Sequence, residues 1–126
     1  MNLLHEALCL LVRLRQVRAL DRLRAEVGPR RAVELARRLG ERARCRNERE
    51  RAVLRRLIAI IDRRWKTGPN CYRRVLLEVA MDRGAAAELV QLGFQRSGEP
   101  GSGHAWLGSG LPSDDGSRSY DAIVAI

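Results

Sequence analysis

Between Leu3 and Asp82 apolar residues return every three or four positions, whereas after Gly84 they begin to return every two. That change of period limits the possible folds more than any other feature of the chain. A spacing near 3.6 collects side chains on one face of a helix, and a spacing of two collects them on one face of a strand. The chain is therefore expected to be α+β, with helices first and a small antiparallel meander after them.

The helical part divides at its breakers. Residues 2–25 form one stripe of Leu3, Leu4, Ala7, Leu8, Leu11, Leu14 and Val17, with Arg13, Arg15, Arg18, Arg22 and Arg24 largely off it. Gly28-Pro29 ends this helix. Pro29 suits the first turn of the next, and Gly40 suits its end. Asn47, with Glu50 three positions on, is the expected N-cap and partner of a third helix carrying Val53, Leu54, Leu57, Ile58, Ile61 and Trp65 inward. A fourth runs from Cys71 to about Asp82, capped by Asn70, with Val75, Leu76, Val79 and Ala80 facing in. Strands are expected at 87–94, where Val90, Leu92 and Phe94 alternate, at 104–108 with His104 and Trp106 on one face, and at 120–126. The stretches 96–103 and 109–119 are Gly- and Ser-rich loops.

A chain of 126 residues fits a single domain, read here as a helical part (1–66) and a core (67–126) made of one helix and three strands. With 45% apolar and 31% charged residues it is globular in composition, and no apolar run reaches the roughly 20 residues of a membrane helix. The N-terminus lacks a basic leader and runs without a break into an Arg-rich helix, so it does not read as a signal peptide. Cys9, Cys45 and Cys71 are odd in number and have no paired spacing, which fits reduced thiols in a cytoplasm. No Cys-x-x-Cys pair is present and His5 and His104 stand apart, so neither a zinc site nor a cofactor is expected.

Charge is uneven. Residues 1–75 hold 21 of the 24 basic side chains and 8 acids, a net of +13; residues 76–126 hold 3 and 7, a net of −4. Such a basic half suits an acidic partner or nucleic acid, although a general preference for arginine over lysine gives a blander account. No aromatic-basic stacking pattern or groove-reading motif accompanies it, which disfavours nucleic acid.

The chemistry concentrates around Cys71. A cysteine is more often a small buried hydrophobe. A thiol on the first turn of a helix, however, meets unsatisfied N–H groups and the positive end of the helix dipole, which favour the nucleophilic thiolate. Arg73 and Arg74 are expected to act in the same direction. His104 opens a strand after a Gly-rich loop, where an imidazole is held by a sheet yet reachable, though a histidine beside Trp106 also suits simple packing. A thiol, a base and an orienting third group form the usual apparatus of cysteine nucleophiles. Asp121 interrupts an apolar strand and needs a partner there, or serves as an edge charge. Asp115, beside Asp114, lies in a loop able to fold back on His104, or is part of a plain turn.

Taken together, "NCYRRVLLEVAMDRGAAAELVQLGF" and "SGHAWLGSG" resemble the C-terminal domain of the lasso-peptide leader peptidases, the microcin-processing branch of the transglutaminase-like superfamily. The likeness covers residues of about 55–126, through Cys71 opening a helix, Gly84 to Phe94, the "HAW" at 104–106 and the aromatic-led "YDAIVAI". The resemblance implies a papain-like, transglutaminase-like fold. It also implies a Cys–His–Asp peptidase that removes the leader from a ribosomally made precursor peptide, beside a leader-recognition protein and a macrocyclase. Cys71 would be nucleophile and His104 general base. The family's acid follows its histidine by about a dozen positions, which points to Asp115, eleven on; Asp121, seventeen on, matches transglutaminase spacing. No glutamine precedes Cys71 at a suitable distance for an oxyanion hole, leaving the Cys71 N–H as a donor. The competing expectations are a non-catalytic peptide-binding member of the same fold and a basic helical nucleic-acid module.

Overall fold

The structure is a computed structural model and describes residues 3–66, 68, 70–94, 104–108 and 122–126. Within these, five helices precede three strands: α1 (Leu3–Val27), α2 (Pro29–Glu41), α3 (Glu48–Arg63), α4 (Cys71–Met81), α5 (Arg83–Ala86), β1 (Val90–Phe94), β2 (His104–Leu107) and β3 (Ala122–Ala125). Pro29 occupies the first turn of α2, after Gly28 in a left-handed conformation at φ 87°. Asn47 and Glu50 form the reciprocal capping box at the start of α3, as their spacing predicts.

Helix α4 is the centre of the molecule. It packs against α1, α2, α3, α5 and β2, and nine of its eleven residues are buried, so it has no solvent face for a single stripe to define. Leu76, Leu77 and Val79 are wholly enclosed, each worth about 2 kcal/mol of transfer from water. Because α4 touches helices on one side and the sheet on the other, the helical part and the core share one interior.

Helix α1 departs from its expected stripe. Leu3, Leu4, Leu8 and Leu11 are more than half exposed, while Leu10 and Glu6 are buried and Cys9 and Leu14 lie partly against the core. Leucine occupies every side of the first three turns, so apolar spacing alone cannot select the inward face. An ionic contact selects it. The Glu6 carboxylate receives Arg44, and Arg46 at 2.8 Å. Burial by itself would raise the Glu6 carboxyl, but hydrogen bonds and charge from Arg46 and Arg44 hold it below the usual carboxylate range.

The sheet is antiparallel, as expected, but it is not a meander. Its order is β2-β1-β3, with β1 central: Gly93 faces His104 on one side and Ile123 on the other. Val90 and Leu92 pair with Leu107 and Ala105, and these four are buried. The strand expected from 87 begins only at Val90. Residues 83–86, which precede the expected strand, form the short helix α5, because the Asp82 side chain accepts a hydrogen bond from the Ala85 N–H at 3.0 Å and caps it.

Gly40 lies inside the last turn of α2, and its role is closeness rather than a left-handed helix end. A Cβ there would fall 1.9 Å from the Val79 carbonyl oxygen and 2.7 Å from the Ala86 Cβ. Gly40→Ala must therefore push α2 off α4. It is expected to cost about 2–3 kcal/mol and lower the Tm by roughly 10 °C. An unchanged calorimetric melt would show that the two backbones do not meet so closely.

Candidate functional site

Cys71 is the first residue of α4 and is half-buried against the core. The turn before it is held from several directions. Asn70 caps the helix, its side chain accepting from the Arg73 N–H at 3.2 Å. The Asn70 N–H donates to Asp62 Oδ2 at 2.9 Å, which ties the cap to the last turn of α3. The Tyr72 hydroxyl donates to the Pro29 carbonyl at 2.9 Å, which ties the same turn to α2. Gly68, at φ 81°, closes the connection, its N–H on the Trp65 carbonyl and its own carbonyl accepting from Arg73. The nucleophile candidate thus sits on an anchored helix end, the setting a precise attack geometry requires.

Arg73 and Arg74 do not act together on the thiol as their neighbouring positions suggested. Arg73 is buried and turned to Asp62 at 2.9 Å, with its guanidinium 4.3 Å from the centre of the Trp65 ring. Its charge is committed there. Arg74 also approaches Asp62, at 3.3 Å, but lines the cleft beside Cys71.

That cleft has a volume of about 530 Å³ and lies between α3, α4 and β2. Cys71 and Val75 of α4, Ile58 and Ala59 of α3, and Ala105, Trp106 and Leu107 of β2 line it. Its charges balance: Arg51, Arg55 and Arg74 against Glu48, Glu78 and Glu88. Arg51 binds Glu88 at 2.8 Å, Glu78 at 3.2 Å and the buried Asp82 at 3.3 Å, and Glu78 also receives Arg55 at 2.9 Å. Burial would lower the Arg51 guanidinium, but Glu88 and Glu78 hold it above its ordinary value. This network fixes the wall opposite β2, and the basic excess of the N-terminal half does not collect here.

His104 begins β2, on the strand face it shares with Trp106. Their rings are stacked with centroids 6.1 Å apart. Cys71 and the next three residues of β2, Ala105, Trp106 and Leu107, line one cleft, and His104 itself is not among its lining residues. Asp115 and Asp121 lie outside the described residues.

Sequence reasoning missed Asp62, which organises the start of α4. The signal was present: a carboxylate one turn after Ile58 on an apolar stripe needs partners, the same reasoning that singled out Asp121. It also missed a thiol–imidazole pair on α1. His5, taken as isolated, places Nε2 3.6 Å from Cys9 Sγ, because residues four apart on a helix share a face. In that pair His5 is exposed and Cys9 lies partly against the core, and the pair lines neither cleft described here. Among the described residues no group of three or more His, Cys, Asp or Glu side chains is gathered to hold a metal ion, and no helix is long and apolar enough to cross a membrane.

No protein-family model, characterised protein or solved structure matches the chain.

Proposed function

We propose that the protein is a cysteine peptidase with a transglutaminase-like arrangement, acting on a ribosomally made precursor peptide of the lasso type to remove its leader. One observation carries the reading. The thiol at the anchored N-terminus of a buried helix opens on a cleft whose facing wall is the strand that His104 begins. His104 takes the thiol proton as Cys71 Sγ attacks the scissile carbonyl carbon. The Cys71 N–H stabilises the oxyanion, the C–N bond breaks, and the imidazolium returns its proton to the leaving amine. Water, deprotonated by His104, then attacks the thioester carbon and releases the acid and the thiol. Asp115 or Asp121 orients the imidazole. A leader-recognition protein and a macrocyclase are the partners this role implies.

Thiol alkylation tests the reading without the precursor. In a Cys9→Ser/Cys45→Ser background, iodoacetamide should modify Cys71 several-fold faster than a free model thiol at neutral pH, and His104→Ala should remove that excess. Equal rates for Cys71 and the model thiol would leave a peptide-binding protein without the chemistry.

A further inference from the structure

The basic excess has a destination of its own. A groove of about 500 Å³ lies between the C-terminal half of α1 and the end of α3, and shares no lining residue with the Cys71 cleft. Leu14, Ile61 and Trp65 make its apolar floor. Arg18, Arg22, Arg64 and Lys66 ring it, and no carboxylate lines it among the described residues. This contrasts with the buried Arg46 and Arg73 and the half-buried Arg51, each of which meets a carboxylate.

The α1 side of the groove lies on a longer line of that helix. Leu4, Leu8 and Leu11, then Arg18 and Arg22, follow one another at helical spacings of three, four and seven, so they fall on one line of the helix surface. The three leucines on that line are exposed. A surface with an apolar end and a cationic end is complementary to a segment built the same way with the opposite sign.

We infer that this surface docks an acidic polypeptide segment carrying aliphatic side chains, leucines against Leu4, Leu8 and Leu11 and carboxylates against Arg18, Arg22, Arg64 and Lys66. A polynucleotide is the less suited polyanion. Its bases need an open aromatic face, and Trp65 already carries the Arg18 guanidinium 5.1 Å and that of Arg73 4.3 Å from its ring centre. The leucine line offers nothing to phosphate. The inference stands apart from the peptidase reading, because it requires neither Cys71 nor His104.

Fluorescence anisotropy tests it with three labelled probes: a short peptide with leucines at one end and glutamates at the other, the same peptide with glutamine for glutamate, and a single-stranded oligonucleotide of equal net charge. The acidic peptide should bind saturably and tighter than the other two. Arg18→Glu/Arg64→Glu should weaken it at least about tenfold, as should raising salt from 50 to 300 mM. All four cationic side chains are exposed. Should that variant fail to keep the parental circular dichroism and melt, Arg22→Glu/Lys66→Glu replaces it with the same expectation. Binding that ignores the charge reversal, an oligonucleotide that binds as tightly as the acidic peptide, or no saturable binding at all would overturn the inference.

Discussion

Cys71→Ala should abolish the burst of p-nitrophenolate that an acyl-enzyme would produce from p-nitrophenyl acetate and, on the proposed peptidase reading, lower the rate of leader removal by on the order of 10⁴-fold or more. The burst counts acylated sites, so the parental protein should release about one equivalent per chain. The substitution removes a single sulfur from a half-buried position, and the helix cap is made by Asn70 and Asp62 rather than by the thiol. The melt should therefore hardly move, separating chemistry from folding. His104→Ala should slow acylation by roughly 10²- to 10⁴-fold, the usual worth of a general base. Cys9→Ser is the decisive control, because Cys9 has an imidazole 3.6 Å away. A burst that disappears with Cys9 and survives without Cys71 would move the chemistry to the His5–Cys9 pair of α1 and end the present assignment.

The local elements of this fold were legible because their signals are local. The caps at Asn47 and Asn70, the Pro29 helix start and the β2 strand depend on residues within a few positions of one another. What eluded the sequence depends on residues far apart. The inward face of α1 is chosen by Glu6 meeting Arg44 and Arg46, about forty positions away, against the preference of an all-round leucine surface. The sheet order places β1 in the middle because β3 returns to its free edge, a choice that the alternation of any one strand does not contain. Arg73 and Arg74 are adjacent in the chain and were read as one charge; packing separates them, one under Trp65 and one into the cleft.

The candidate site was legible in a similar proportion. Cys71 at a helix start and His104 at a strand start follow from local signals, and the cleft that Cys71 lines with Ala105, Trp106 and Leu107 is what those positions imply if the helix packs on the strand. The wall built from Arg51, Glu78, Asp82 and Glu88 was invisible, since those four residues look like ordinary surface charges until α3, α4 and the approach to β1 come together. Buried ionic groups of this kind are legible only as exceptions: an acid on an apolar stripe states that a partner exists without naming it.

Asp62 is the exception with the largest energetic consequence. Asp62→Ala should destabilise the protein by about 3–5 kcal/mol, seen as a lower urea midpoint with an unchanged slope. The carboxylate is 1% exposed and serves three groups at once: the buried Arg73 guanidinium at 2.9 Å, the Arg74 Nε at 3.3 Å and the Asn70 N–H at 2.9 Å. Removing it leaves Arg73 enclosed without its carboxylate and the cap of α4 without its tether to α3. Asp62→Asn keeps an acceptor for Asn70 and should cost less than the alanine variant. The charge argument has a sharper consequence in the double variant. Asp62→Ala/Arg73→Met removes both buried charges together, so it should be more stable than Asp62→Ala alone, by about 1–3 kcal/mol. If the double variant is instead as unstable as the sum of its parts, the loss comes from packing, and the pairing of Asp62 with Arg73 is not what holds the helix end. In Asp62→Ala molecules that remain folded, Cys71 should also alkylate more slowly, because the turn that presents the thiol has lost its fixed point on α3.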